Sequence, residues 1–491
     1  MPRRLQNVYK VPGRGRHQLR IAGKSIPGVS PLADEVYTVD FKKRQKENEE
    51  KVEKVMEQVE SKDVKFVRLQ FVDIHGFVKN FAIPAERLED ALVEGVLFDG
   101  SSIDGFVDIE ESDMIAMPDP DTFAVLPWRP REGKVARIIC DVYWPEGKPF
   151  EGCPRLNLKR VMNELAEKGY MMYCGPECEF YLLKQDPETG EVEAHDEGGY
   201  FDFYPLDRAE DIRREIIFAM EEFGLEVEMS HHEVGPGQHE IDFKFADAVT
   251  TADNVISFKQ IVKAIARKHG LIATFMPKPI YGENGNGMHV HQSLWDPEGK
   301  ENLFYDPDAE DQYYLSDTAL YYIGGIMEHA HALCAVCNPL VNSYKRLVPG
   351  YEAPVYIAWS PKNRSAFIRV PAARGKATRI EYRSPDPACN PYLAFAAMAV
   401  AGVDGIENKI DPGDPVNENL YEMSEEERKE LGIEHLPENL RDALEAFKED
   451  EVVQSAFTDH IVEQWLELKW EEWSEYRERV TKWEIKKFIV Y

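Results

Sequence analysis

Residues 288–295 read MHVHQSLW. In an extended chain alternate side chains share a face, so His289, His291 and Ser293 lie on one side and Val290, Gln292 and Leu294 on the other. Three further stretches have the same design. In GPECEFYLL (175–183), Glu177 and Glu179 oppose Cys178 and Phe180. In HEIDFKF (239–245), Glu240 and Asp242 oppose Ile241 and Phe243. In TRIEYRSP (378–385), Arg379, Glu381 and Arg383 oppose Ile380 and Tyr382. A single such segment reads as a half-solvated antiparallel strand. Taken together they say more. Their polar faces carry Glu, Asp, Arg and His and lack the Thr that suits exposed strands. Glu177 and Glu179 would repel unless a cation lay between them. Gly-Pro, Gly-x-Gly and Pro-Asp-Pro flank the segments, as expected of strands that end at a cleft. The pattern predicts an α+β chain with an antiparallel sheet whose polar face is a site. Whether the histidines are metal ligands, nucleotide contacts or ordinary strand residues stays open at this level.

A face with several carboxylates and one or two imidazoles suits hard divalent cations, magnesium or manganese rather than zinc. Carboxylate-held magnesium commonly grips nucleotide phosphates, and arginines are then expected nearby. Arg346, Arg364, Arg369, Arg374, Arg379 and Arg383 fall within about forty residues of an otherwise acidic chain. Composition therefore points to metal-assisted phosphoryl transfer with an acidic small molecule as second ligand. There is no G-x-x-x-x-G-K-[ST], so this is not a P-loop enzyme, and GENGNG (282–287) does not match a dinucleotide fingerprint.

The chain has 491 residues, 43% hydrophobic and 30% charged, with 89 acids against 58 Lys plus Arg and a formal charge of -31. Such a surface repels nucleic acid and anionic membranes, so neither is an expected partner. No apolar run reaches the length of a membrane span, and no secretory signal pattern is seen, which predicts a cytoplasmic protein. The seven cysteines are scattered, as expected of reduced cytosolic thiols. Cys334 and Cys337 form a C-x-x-C without a second half-site and read as packed thiols on a helix.

Three segments are expected. Residues 1–45 begin with a basic, Gly- and Pro-rich stretch that reads as a disordered extension. Residues 46–150 form a small α+β domain. It opens on an amphipathic helix with Val52, Val55, Met56 and Val59 on one face, and continues in short β-rich segments joined at His-Gly. Residues 151–491 form the larger domain, with helices ending at glycines, a long helix from about Tyr313 to Cys337, and a charged helical tail.

FDGSSIDGF, ESDMIAMPDP, GPECEF, HHEVGPGQHEID, FMPKPIYGENGNGMHVHQS, RLVPGYEAP, NRSAFIRVP and RIEYRSPDPACNPYLAFAAM, in this order, resemble the motifs of type I glutamine synthetase. The resemblance runs from about residue 60 to the C-terminus. It implies a β-grasp-like N-terminal domain and a large catalytic domain whose antiparallel sheet, covered by helices, forms half of an inter-subunit active-site funnel. The assembly would be a dodecamer of two hexameric rings. The implied reaction is ATP-dependent ligation of ammonia to glutamate through γ-glutamyl phosphate.

The same resemblance implies residue roles. Glu179, Glu233 and Glu240 would hold one Mg2+ or Mn2+ ion, and Glu177, His289 and Glu381 a second. Asn284, Gly285 and Arg346 would hold glutamate. Arg364 and Arg369 would handle the transferred phosphate and the nucleotide, and Arg383 the γ-carboxylate. Phe245, His291, Ser293 and Arg379 would lie on the ATP side. Asp99 of a neighbouring subunit would take the proton from ammonium, with Ser102, Asp113, Tyr200 and Glu233 in the same ammonium pocket. Glu352, in a Pro/Gly-bounded loop, would be the flap that shields the acyl phosphate from water.

Two positions depart from the family pattern. Asp108 stands where many α-subtype relatives carry the Arg that serves glutamine feedback or the 2-oxoglutarate response, so weak feedback is expected. 2-Oxoglutarate and PII-type proteins are the candidate regulators. Tyr421 lies in NLYEMSEEE, which resembles the loop adenylylated in β-subtype enzymes; its surroundings resemble the α subtype, so an unmodified loop tyrosine is expected. The competing expectations are a ligase that joins glutamate to polyamines or other amines, and a non-catalytic member of the family. Retention of Asp99, Tyr200 and Glu233 favours ammonia, and no ligand or flap acid is missing.

Overall fold

The computed structural model describes residues 41–107, 112–128, 132–309 and 313–491. The first helix, α1, spans Phe41–Ser61, so residues 41–45 of the expected extension are helical. The remainder of that extension, and Asp108, lie outside the described residues.

Strands β1 (Val64–Val72), β2 (Val78–Pro84), β3 (Val96–Asp99), β4 (Asp113–Pro118), β5 (Ala124–Val125) and β6 (Lys134–Tyr143) form the sheet of the small domain. Its order is β2-β1-β6-β4-β3, with β5 on β6. Only β1 and β6 run parallel; the other pairs are antiparallel. The α1 stripe Val52, Val55 and Val59 is buried against Val67, Leu69 and Ile138 of the sheet and Leu88 and Leu92 of α2 (Leu88–Glu94). Sequence periodicity thus becomes a helix-on-sheet core.

The larger domain begins with α3 (Pro154–Glu167), β7 (Met171–Cys178), β8 (Phe180–Gln185), β9 (Val192–Ala194) and α4 (Glu210–Phe223). It continues through β10 (Val227–His232), β11 (Gln238–Phe243), β12 (Ala246–Asp247), α5 (Ala248–Lys268), β13 (Ile272–Thr274) and β14 (Met288–Trp295). After these come α6 (Asp317–Glu328), α7 (Ala330–Cys337), α8 (Ser343–Arg346), β15 (Trp359–Ser360), β16 (Ile368–Arg369), β17 (Ile380–Tyr382) and α9 (Pro391–Asn408). The tail is helical as expected, from α10 (Glu425–Glu430) through α11 (Leu440–Glu449), α12 (Glu451–Ser455) and α13 (Asp459–Glu478) to α14 (Lys482–Phe488).

The four polar-faced segments do not share one sheet. β7, β14 and β17 lie in a sheet ordered β12-β7-β14-β17-β16-β15, while β11 lies in a second, β10-β11-β8-β13, with β9 on β8. The chain crosses from one to the other at Glu179, whose N–H donates to the Gly287 carbonyl at 3.1 Å. One nearly continuous extended stretch thus serves two sheets, and the polar face curls into a trough.

The long helix expected from Tyr313 to Cys337 is two helices. The first starts beyond Ser316, whose side chain accepts from Ala319 N–H. The break falls at His329, where ψ leaves the helical range at 12°. The His329 ring is drawn between Asp450 Oδ2 at 2.7 Å and Asp404 Oδ2 at 3.1 Å. Helices α6 and α9 approach so closely that a Cβ on Gly325 would lie 2.1 Å from the Ala401 carbonyl oxygen, so no side chain fits there.

The two domains meet at Arg155 of α3. Its guanidinium bonds Asp253 of α5 at 2.8 Å, Asp141 of β6 at 2.9 Å and Asp119 after β4 at 2.9 Å. All seven cysteines are buried and unpaired, as expected for packed thiols. Among the described residues no helix is long and apolar enough to cross a membrane.

Candidate active site

Register builds the first cluster. His289 of β14 faces Glu177 of β7, and His291 faces Glu381 of β17. Cross-strand neighbours on one face come within bonding reach. His291 Nε2 lies 2.7 Å from Glu177 Oε1. His289 Nδ1 lies 3.3 Å from Glu177 Oε2 and 3.8 Å from Glu381 Oε1. Arg379 Nε donates to His291 Nδ1 at 3.0 Å, so the His291 proton sits on Nε2 and is donated to Glu177.

The second cluster comes from β10 and β11, where His231 pairs with Glu240. His231 Nε2 is 3.0 Å from Glu240 Oε1, and Nδ1 is 3.3 Å from Glu233 Oε1. Glu179 stands between the clusters and accepts from Gln238 Nε2 at 2.8 Å and Gly287 N–H at 2.9 Å.

The clusters differ in charge. For Glu177, burial raises the carboxyl pKa, but hydrogen bonds from His289 and His291 outweigh it and hold the group well below its usual range. Glu381 is likewise held low against its burial by His291 and Arg383. In the second cluster burial, reinforced by Glu179 and Glu240, pushes Glu233 up to about 9. Burial also pushes up Glu240, beside Asp242, and Glu179. Asp242 is raised to about 7 by burial and by Glu177, and its Oδ1 is buried without a partner. Crowded carboxylates driven to keep protons, with an orphan oxygen beside them, are the donor set of a hard divalent cation, so the residues fit such an ion.

Apart from His291, both clusters line a cleft of about 340 Å3, with Asn284, Gly285, Arg346, Glu352, Arg364, Arg369, Arg383 and Tyr200 around it. Gly285 leaves no room for a side chain: a Cβ would lie 2.5 Å from the Pro277 carbonyl oxygen and 2.8 Å from Arg346 Cγ. Arg346 is buried and anchored to the carbonyls of Ser384 at 2.5 Å and Arg383 at 3.1 Å. Arg383 Nε donates to Glu381 Oε1 at 3.0 Å, while its Nη1 is buried and unpartnered. Arg369 also donates to Glu381. A hydrogen bond with Tyr200 makes Arg364 a still firmer cation.

His291, Ser293, Phe245 and Arg379 do not line the cleft itself. His291 and Arg379 stand beside Glu177. Ser293 accepts from Trp295 Nε1 at 3.0 Å, and Phe245 packs edge-on to Tyr173 with ring centroids 5.9 Å apart. Asp99, Ser102 and Asp113 lie exposed on the small domain, Asp99 paired with Asp113 across β3 and β4, and none reaches the cleft of its own chain. The cleft lining also includes residues that the sequence reading does not single out, among them the polar side chains of His231, Gln238 and Tyr351. Sequence alternation carries no signal for His231, which meets Glu240 only because the chain turns back between them.

The family model for the glutamine synthetase catalytic domain matches residues 151–488, and that for the glutamine synthetase β-grasp domain matches residues 63–145. The chain belongs to the glutamine synthetase family. A curated glutamine synthetase of Methanocaldococcus jannaschii is 58% identical over 450 residues, covering 90% of this chain and 98% of that protein. One from Staphylococcus aureus is 55% identical over 428 residues, covering 87% and 95%. A solved GmaS/ADP complex has 34% identity and a TM-score of 0.81, covering 89% of this chain and 99% of that one. The family uses ATP and a divalent metal and is oligomeric.

Proposed function

We propose that the protein is a glutamate–ammonia ligase: it joins ammonia to L-glutamate at the expense of ATP, giving L-glutamine, ADP and phosphate in nitrogen assimilation. The observation that carries this reading is one cleft in which two acid–imidazole clusters face Arg346, Arg364 and Arg383. The archaeal and staphylococcal relatives that share the name glutamine synthetase support it.

Arg346, Asn284 and the backbone at Gly285 bind and orient the glutamate. Arg383 and Arg364 bring its γ-carboxylate and the ATP γ-phosphate together by neutralising both anions, with Arg369 on the nucleotide side. A γ-carboxylate oxygen attacks the γ-phosphorus, ADP leaves, and γ-glutamyl phosphate forms. Ammonia attacks the γ-carbon, phosphate leaves with the bonding pair, and the surplus proton on the new amide nitrogen passes to the departing phosphate. Before that attack, Asp99 from a neighbouring subunit takes a proton from ammonium, since only neutral ammonia is nucleophilic, beside Tyr200, Glu233, Ser102 and Asp113. Ser101 N–H and Oγ donate to Asp99 Oδ1 and hold its carboxyl below the usual range, so the group is ionised and able to accept a proton. Glu352 covers the intermediate.

Glu179, Glu233 and Glu240, with His231 beside them, would hold one Mg2+ or Mn2+, and Glu177, His289 and Glu381 another. Such ions supply charge neutralisation between ATP phosphates and carboxylate. ATP extends along Phe245, His291, Ser293 and Arg379. The assembly is a cytoplasmic homo-dodecamer of two hexameric rings.

The test is product analysis of the purified chain with ATP, magnesium and glutamate, offering ammonium, methylamine and putrescine in turn. Glutamine is expected as the fastest product; a faster amine reaction would overturn the substrate assignment.

A further inference from the structure

Three consecutive residues of the flap are each held by a side chain from outside it, two from the loop between β13 and β14 and one from the loop that carries Tyr421. Lys278 Nζ sits 3.6 Å from the centre of the Tyr351 ring and also donates to the Glu283 carbonyl. Asn284 Nδ2 donates to Glu352 Oε2 at 3.2 Å. The Tyr421 hydroxyl donates to the Ala353 carbonyl at 2.6 Å.

Tyr421 belongs to a loop that is itself sewn to the segment carrying Arg364. Ser360 Oγ donates to Asn417 Oδ1 at 3.1 Å, Asn363 Nδ2 donates to the Glu418 carbonyl, and Leu420 N–H donates to Ser365 Oγ at 3.2 Å. Leu420 is buried in a small core of its own with Val355, Tyr356, Ala358 and Ala366, against which Tyr421 packs. The flap needs such anchorage. Glu352 adopts φ 62°, a left-handed conformation that disfavours any residue with a Cβ. Released from its neighbours, the loop would relax toward ordinary backbone angles and carry the Glu352 carboxylate off the cleft.

We propose that Tyr421 is the positioning residue of the flap: its bond to the Ala353 carbonyl, with Lys278 on Tyr351, holds Glu352 over the cleft and sets how much phosphorylated intermediate is lost to water. The inference rests on the ligase reading above. In the loss reaction a water oxygen attacks the γ-carbon of γ-glutamyl phosphate. The carbon–oxygen bond to phosphate breaks, phosphate leaves with the electron pair, and glutamate is regenerated. The net change is ATP plus water to ADP and phosphate.

The experiment compares wild type, Tyr421→Phe, Lys278→Met and Lys278→Arg as full-length chains of matched assembly size. It measures glutamate-dependent ADP release without ammonium and, with ammonium, the ratio of ADP to glutamine. Loss of one hydrogen bond should raise ammonium-free turnover about three- to tenfold in Tyr421→Phe and lift the ratio above one. Lys278→Met should do the same, and Lys278→Arg should restore the wild-type ratio. A general loss of structure would lower both reactions together. An active wild type whose Tyr421→Phe and Lys278→Met variants keep its ratio overturns the flap anchor. A wild type that makes no glutamine overturns the ligase reading instead.

Discussion

Asn284 and Glu352 meet across the mouth of the cleft, amide Nδ2 to carboxylate Oε2 at 3.2 Å, so a hydrogen bond joins the loop before β14 to the flap. The same Glu352 carries a left-handed backbone. Geometry that strains the chain and a contact at the site coincide in one residue.

Glu352→Gly should therefore stabilise and disable at once. Relief of left-handed strain is worth about 1–2 kcal/mol, and the entropy of a glycine returns about 0.5–1 of it. The unfolding midpoint in urea should rise slightly while glutamine formation falls about tenfold or more, because the intermediate meets water.

Removal of divalent metal should be proton-linked. Glu233 is pushed up to about 9 by burial and its acidic neighbours, so without a cation it holds a proton at neutral pH, and metal uptake must release it. Calorimetric titration of chelator-treated protein with MgCl2 in buffers of different ionisation enthalpy should show proton release that dwindles as pH rises past 9. His231 braces Glu233 and Glu240, and His231→Ala should weaken metal binding about 10- to 100-fold.

Arg155→Met should cost about 3–5 kcal/mol, since it takes the ion-pair partner from buried Asp253 and leaves Lys159 to balance Asp119 and Asp141. The acids give the pH dependence its sign. Burial pushes Asp119 and Asp141 up, but Arg155 and Lys159 outweigh it and hold both low. Their contribution is present above the unfolded value, about 3.9, and is lost as pH falls through the folded value. The stability gap between wild type and variant, read from urea midpoints, should shrink on acidification.

His329 runs the other way. Burial lowers its pKa, but Asp450 and Asp404 outweigh it and hold the imidazolium above its usual value. That stabilisation is complete below about pH 6.5 and is lost as pH rises through the folded value. His329→Gln should be destabilised by about 1 kcal/mol or more in acid and approach wild type in alkali, measured by thermal unfolding across pH.

The strand faces could be read from sequence because alternation has a period of two and the family motifs fix which faces carry function. Division into two sheets could not: Glu177-Cys178-Glu179 looks like one strand, and only the Glu179–Gly287 bond shows where it bends. The interruption at His329 was equally hidden, because Asp404 and Asp450 are remote in sequence. His231 went unremarked because its importance comes from pairing with Glu240 across a hairpin. Asp99 shows the opposite case: the motif singles it out, yet it is not among the residues that line the cleft of its own chain.

The seven buried thiols make the fold its own stopwatch. Burial raises Cys153 to about 11 and Cys178 and Cys334 to about 12, so almost no thiolate exists for an alkylating reagent to find. Each cysteine becomes visible only when the segment covering it opens. Labelling in time, followed by mass analysis, would therefore rank the regions of this molecule by how often each breathes, with no probe added.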